Sequence, residues 1–145
     1  MDGTDEPVVE AFWALSRKLR VMAQEALAEW DVTPSQARAL AVLRRGGAQR
    51  LGELAEHLRI APRSATEVVD ALGERGLVER QPDPADRRAT LVALTAHGEE
   101  VSAAIRSARK TGASSLFARL PEGDHAELAR ILADLRAAAD TPPPE

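Results

Sequence analysis

The 145-residue chain carries 44% apolar residues, a formal net charge of −4 and no cysteine. That length and apolar content suit one compact domain with a well-buried core, and the missing cysteines exclude disulfides, thiolate metal sites and a cysteine redox switch. The first residues, Met1 to Glu6, are acidic where a signal peptide is basic, and no apolar run approaches the roughly 18 residues of a membrane span, so a soluble cytoplasmic protein is expected.

From Pro7 to Trp30 the positions Val8, Phe12, Leu15, Leu19, Met22 and Ala26 recur three and four residues apart, which predicts one long amphipathic helix. At 1.5 Å per residue it is about 35 Å long, more than a small core needs, so part of its stripe is expected to meet another chain. Thr33-Pro34-Ser35-Gln36 supplies an N-cap threonine, a first-turn proline and a Gln at the third position, a capping box. The helix it opens carries Ala37, Leu40, Ala41 and Leu43 and stops at Gly46-Gly47. A short helix follows over about Leu51 to Leu58, and after Arg59-Ile60-Ala61 another runs from Pro62 to about Arg75, burying Ala65, Val68, Val69 and Leu72. Two helices so closely joined match the helix-turn-helix signal.

Gly76 is placed to end that helix. Two short apolar runs, Leu77 to Gln81 and Thr90 to Leu94, then flank the charged tip Pro82-Asp83-Pro84-Ala85-Asp86-Arg87-Arg88 and read as a β-hairpin. A lone hairpin is marginal in water and must lean on helices, whereas an exposed Asp-Arg-Arg tip is suited to an anion. Thr95 can cap a second long helix to about Leu120, and Pro121 opens a last helix of about 18 residues carrying Leu128, Ile131, Leu132 and Leu135. Thr141 to Glu145 is expected to be a frayed tail. The charges are unevenly placed along this order: between Thr33 and Thr95 ten arginines face eight acids, leaving +2 there and −6 elsewhere.

The expected fold is therefore mainly α with a small β-hairpin, an α+β winged helix-turn-helix flanked by long amphipathic helices. At this level the chain resembles the MarR family of winged-helix transcriptional regulators. The resemblance is carried by Trp30 to Gln36, by Leu51-Gly52-Glu53-Leu54-Ala55-Glu56-His57-Leu58, by Val69 to Arg80, and by Asp83 to Arg88 leading to Leu94-Thr95-Ala96-His97-Gly98. It spans about residues 8 to 138 and implies an N-terminal dimerisation helix over 1–32, a DNA-binding lobe over 33–95, C-terminal dimerisation helices over 96–140 and a disordered tail over 141–145. It further implies a homodimer on a roughly palindromic double-stranded operator, usually a repressor released by a small aromatic or anionic effector. Two departures stand out: Arg59 occupies a turn position where the family often has glycine, and Glu67 stands where a polar or basic residue is common.

With Ala65, Val68, Val69 and Leu72 inward, the helical advance sends Arg63, Glu67 and Asp70 to the opposite side, with Ser64 and Thr66 on the flanks. Arg63 can then reach guanine O6 and N7, Ser64 and Thr66 phosphate or base edges, and Glu67 a cytosine amino group, although Arg63 and Glu67 equally suit an exposed helix pair. The unpaired amides from Pro62 to Ser64 suit a phosphate. At the tip, Arg87 or Arg88 suits a narrow minor groove, and Asp86 is expected to hold one arginine in position. Arg38, Arg44, Arg45, Arg50 and Arg80 are weaker phosphate candidates. The resemblance places an effector pocket between the dimerisation helices and the DNA-binding lobe, where Phe12, Trp13, Arg17 and Trp30 could supply walls and an anion partner.

His57, His97 and His125 fall on three different helices without ligand spacing, so neither a metal site nor another cofactor is expected. No nucleophile elbow, Walker-type loop or dinucleotide fingerprint occurs, so no enzyme is expected. Two rival readings are a winged-helix protein-interaction module without DNA binding, favoured by the acidic net charge and Glu67-Asp70-Glu74, and a metal-dependent enzyme or sensor.

Overall fold

The computed structural model describes residues 5–141. Residues 1–4 and 142–145, which hold most of the acidic start and most of the expected tail, lie outside the described residues. Six helices and three strands follow in the order α1 (Asp5–Ala28), α2 (Pro34–Gly46), β1 (Gln49–Arg50), α3 (Leu51–Leu58), α4 (Pro62–Glu74), β2 (Val78–Asp83), β3 (Asp86–Leu94), α5 (Ala96–Phe117) and α6 (Glu122–Ala139). The chain divides into two compact units, one ending at Arg109 and the other beginning at Lys110.

The first unit is built on one apolar cluster. Leu40 of α2, Leu54 and Leu58 of α3, Val69 and Leu72 of α4, Leu77 just before β2 and Val92 of β3 are all buried in it. Leu27 at the end of α1 and Val101 and Ile105 of α5 join the same cluster. The flanking helices thus contribute to the core of the winged-helix lobe. Truncating one of these leucines to alanine would cost about 2–5 kcal/mol, a large share of the stability of a domain this size.

Capping sets the register of α2. The Gln36 amide donates to Thr33 Oγ1 at 3.2 Å and the Thr33 amide to Gln36 Oε1 at 3.1 Å, the reciprocal pair of a capping box. Upstream, α1 stops at Ala28, two residues short of the expected Trp30, because the chain folds back through Asp31 at φ 52° and returns the Val32 amide to Leu27 O. Along α1, Val8, Phe12, Leu15 and Met22 are exposed.

The expected hairpin is two strands of a three-stranded antiparallel sheet in the order β1-β3-β2. The additional strand is only Gln49 and Arg50, paired with Val92 and Leu91. Gln49 turns inward, 5% exposed, where its amide donates to Val42 O at 3.4 Å and its carbonyl accepts from His57 Nδ1 at 2.7 Å. The charged tip is also shorter than the sequence suggests: β2 runs through Pro82 and Asp83, β3 starts at Asp86, and only Pro84-Ala85 forms the turn.

In the second unit the end of α5 and α6 enclose a cavity of about 240 Å³ lined by Ser114, Phe117, His125, Leu128, Ala129 and Leu132. The helix α5 ends at Phe117 rather than Leu120, and residues 118–120 form a turn whose amides return to Ser114, Leu116 and Phe117. Pro121 is the N-cap of α6, extended at ψ 150°, and not part of its first turn.

The junction between sheet and α5 is tight. Thr95 Oγ1 donates to Gly76 O and accepts from the Gly98 amide at 3.0 Å, so Thr95 caps α5 as expected. The Thr95 amide donates to Leu77 O, and a Cβ at Gly98 would collide with that same carbonyl. Gly98→Ala is therefore expected to lower the unfolding free energy by about 1–3 kcal/mol in urea denaturation; an unchanged midpoint would refute the close approach.

Candidate nucleic-acid interface

On α4, Ala65, Val69 and Leu72 are buried and Pro62, Arg63, Ser64, Glu67 and Asp70 are exposed. The turn that sets this orientation passes through Arg59, which caps α3 in the left-handed region at φ 54°, ψ 46°, a conformation that glycine adopts without steric cost. Ala61 offers α4 no side-chain cap, and the first intrahelical bond runs from the Ala65 amide to Ala61 O. The amides of Arg63 and Ser64 are left as outward donors at the positive end of the helix. The Arg63 side chain is 92% exposed and approaches Glu67 only to 3.9 Å. The Thr66 hydroxyl donates to Pro62 O at 3.0 Å, as a helical threonine commonly does, leaving it acceptor capacity outward, which suits a base-edge donor and not a phosphate.

The wing carries an irregularity at its tip. Asp83 pairs with Asp86 but Pro82 pairs with Thr90, so Arg87, Arg88 and Ala89 have no opposite residue on β2. Pro82 lacks an amide proton and cannot donate to the ladder, which favours such a break. Asp86 Oδ1 accepts from the Arg88 amide at 3.0 Å. Asp86 therefore touches Arg88 through the backbone, and among the described residues neither the Arg87 nor the Arg88 guanidinium meets a carboxylate within ion-pair distance.

Most other arginines of the lobe are engaged. Arg38 Nη2 donates to Leu58 O at 2.8 Å, closing the end of α3, and Arg45 Nε donates to Ala41 O. Arg75 donates to the carbonyls of Trp30 and Asp31. Arg80 pairs with Asp70 at 2.7 Å, tying β2 to α4. Arg50 donates from Nε and Nη2 to Asp83 Oδ2 at 3.0 and 2.9 Å, and its Nη2 is 3.9 Å from Asp86. Asp83 is only 8% exposed; the Ala85 amide and then Arg50 hold its carboxyl below the usual carboxylate range, while Asp83 in turn raises Arg50. Of the weaker phosphate candidates read from sequence, Arg38, Arg45, Arg50 and Arg80 each spend one or two donors on partners within the protein, and Arg44 has its Nε buried without one. Nothing in the local sequence signals the Arg50–Asp83 pair, whose members lie 33 residues apart.

Of the residues expected as effector walls, Phe12 and Trp13 lie together on α1 and Trp30 lies beyond its end. Phe12 and Trp13 are about half exposed on α1 with ring centroids 5.6 Å apart, and Arg17 is exposed. Trp30 lies in the turn beyond the end of α1 and packs against the core. A different cavity, of about 250 Å³, lies between α2 and α5 and is lined by Arg44, Arg45, Arg106 and Arg109 with Ser102 and Ile105. The Nε atoms of Arg44 and Arg109 are buried there without a hydrogen-bond partner. Among the described residues no group of three or more His, Asp or Glu is arranged to hold a metal, and no helix is long and apolar enough to cross a membrane.

Known proteins share this architecture. Residues 32–90 match the family model described as MarR family. The HTH-type transcriptional repressor MdtR of Bacillus subtilis is 30% identical over 128 residues, covering 88% of this chain and 83% of its own. The crystal structure of YusO from Bacillus subtilis superposes with a TM-score of 0.82 at 26% identity, covering 94% of this chain and 99% of the other. A variant of MepR from Staphylococcus aureus bound to an oligodeoxyribonucleotide shares the fold, with a TM-score of 0.74 at 19% identity over 92% of this chain and 98% of that one. By its sequence and its fold, the chain belongs to the MarR family of winged-helix, DNA-binding transcriptional regulators.

Proposed function

We propose that the protein is a sequence-specific repressor that binds a palindromic operator as a homodimer and is released by a small anionic or aromatic effector. The observation that carries the DNA contacts is the division of the arginines: Arg38, Arg45, Arg50, Arg75 and Arg80 are tied to carbonyls and carboxylates, whereas Arg63 on α4 and Arg87 and Arg88 on the wing, like Arg59 in the turn before α4, are left with at most one loose partner among the described residues. In this reading the segment Pro62 to Glu67 enters a major groove. Arg63 reads guanine, Ser64 and the first-turn amides hold phosphate, Thr66 accepts from a base edge and Glu67 accepts from a cytosine amino group. Arg87 and Arg88 occupy the flanking minor groove, whose negative potential attracts guanidinium groups.

The exposed α1 stripe, Val8, Phe12, Trp13 and Leu15, supports pairing with a second copy, since an apolar face this long is costly in water. Two-fold symmetry then sets the half-sites about one helical turn apart, roughly 34–36 Å. MdtR, the relative named above as a repressor, supports repression as the output. The four-arginine cavity between α2 and α5 supports an anionic effector, because buried donors without partners are costly until a ligand satisfies them. Such a ligand would act by changing the separation of the two α4 helices.

Fluorescence anisotropy on duplexes from upstream of the protein's own gene tests the contacts. Arg63→Ala should cost about 1–3 kcal/mol on the preferred duplex and relax preference at one base pair, whereas Arg88→Ala should weaken all duplexes and lower the salt slope by about 1. Parent-like binding by both variants at several salt concentrations would refute the assignment. For the effector, benzoate or inorganic phosphate is expected to weaken operator binding, and Arg109→Ala to raise the required concentration about tenfold. Operator binding indifferent to both anions would refute an anionic effector in this cavity.

A further inference from the structure

Arg50 lies on the shortest strand of the protein, yet it reaches the far end of the wing. Its partner strand places Gln49 inward, where Val42 and His57 hold it, and Arg50 outward, so β1 is clamped to α2 and α3 on one side and grips the wing on the other. The guanidinium faces two carboxylates that are Cα partners across the Pro84-Ala85 turn, Asp83 and Asp86. Like charges directly opposite on a sheet repel, and Asp83 is buried, so without a cation between them this turn is unfavourable. Each carboxylate also shapes the turn: Asp83 Oδ1 accepts from the Ala85 amide at 2.9 Å and Asp86 Oδ1 from the Arg88 amide at 3.0 Å. The charges of Asp83, Asp86, Arg87 and Arg88 sum to zero, so Arg50 makes the wing tip net positive.

We infer that Arg50 is a positioning residue for DNA binding: by gripping Asp83 and facing Asp86 it fixes the wing turn and neutralises its acids, so that Arg87 and Arg88 meet the DNA as uncompensated charge. The inference rests on the DNA contacts proposed above. It separates cleanly from a direct phosphate contact by Arg50, because the two differ in what loss of the acid does. A phosphate contact predicts that Asp83→Asn tightens binding by removing a negative charge and freeing Arg50; a positioning role predicts that it weakens binding.

The test measures the affinity of the full-length protein for a duplex protected by the parent upstream of its own gene, with Arg50→Gln, Asp83→Asn, the double variant and Arg50→Lys. Each single neutralisation is expected to weaken binding about tenfold, the double variant to be no weaker than the worse single, and Arg50→Lys to recover part of the loss. Amide hydrogen exchange on the free protein reads the same link without DNA: Arg50→Gln should speed exchange at Ala85 and Arg88 while leaving Leu54 and Leu72 in the core unchanged. Parent-like or tighter binding by Asp83→Asn, additive losses in the double variant, or unchanged exchange at Ala85 and Arg88 would overturn the inference. Should the parent protect no DNA, the proposed function fails, and the exchange measurement still decides whether Arg50 fixes the turn.

Discussion

The packing of α4 against Leu40, Leu54 and Leu58 is the constraint on which the interface depends. Ala65, Val69 and Leu72 recur at spacings of four and three, so burying them leaves only one rotation of the helix available. That rotation turns Arg63, Ser64 and Glu67 outward together with the uncapped first-turn amides. Leu77 and Val92 bring the wing into the same cluster, so the sheet is oriented by the core that orients α4. The proposed recognition surface and the core are two faces of one helix, and a core substitution that rotates α4 would disturb the proposed DNA contacts without touching them.

Arginine does two jobs in this lobe, and geometry separates them. Arg38 and Arg75 bind carbonyls left open at helix ends and in the α1–α2 turn, whereas Arg50 and Arg80 bind carboxylates that connect the wing to β1 and α4. Surface ion pairs contribute little on average. Their value here is in fixing orientation, since the wing has no core of its own beyond Val78, Val92 and Ala93. Guanidinium groups left over from this internal wiring project from the start of α4 and from the wing tip. An acidic protein can thereby offer phosphate a local positive surface, which depends on where Arg63, Arg87 and Arg88 stand and not on the modest excess of +2 counted along the lobe.

Features written in local pattern were legible in the sequence. The Thr33 capping box, the inward face of α4, the Gly76 helix end and the Thr95 cap all depend on residues within a few positions of one another, and each has a distinct chemical signature. The strand β1 was not legible, because two residues carry no periodicity and Gln49-Arg50 is held by partners more than forty residues away. The wing bulge was hidden for the related reason that register is decided across strands. Arg50 and Arg80 looked like spare cations because an ion pair between distant elements leaves no trace in spacing. Phe12 and Trp30 share a helical stripe in projection, but α1 ends at Ala28 and Trp30 lies in the turn beyond it.

The central claim is that α4 and the wing of each protomer engage DNA together, the one in a major groove and the other in the minor groove beside it. Hydroxyl-radical footprinting across the region upstream of the protein's own gene measures this most directly, because the reagent attacks sugars along the minor groove. Two symmetric sets of protections are expected, their centres about one helical turn apart. In each set the outermost protection should disappear when Arg87 and Arg88 are both replaced by alanine, while the inner ones persist. A footprint that is absent, or that keeps its outer protections in that double variant, would contradict the account.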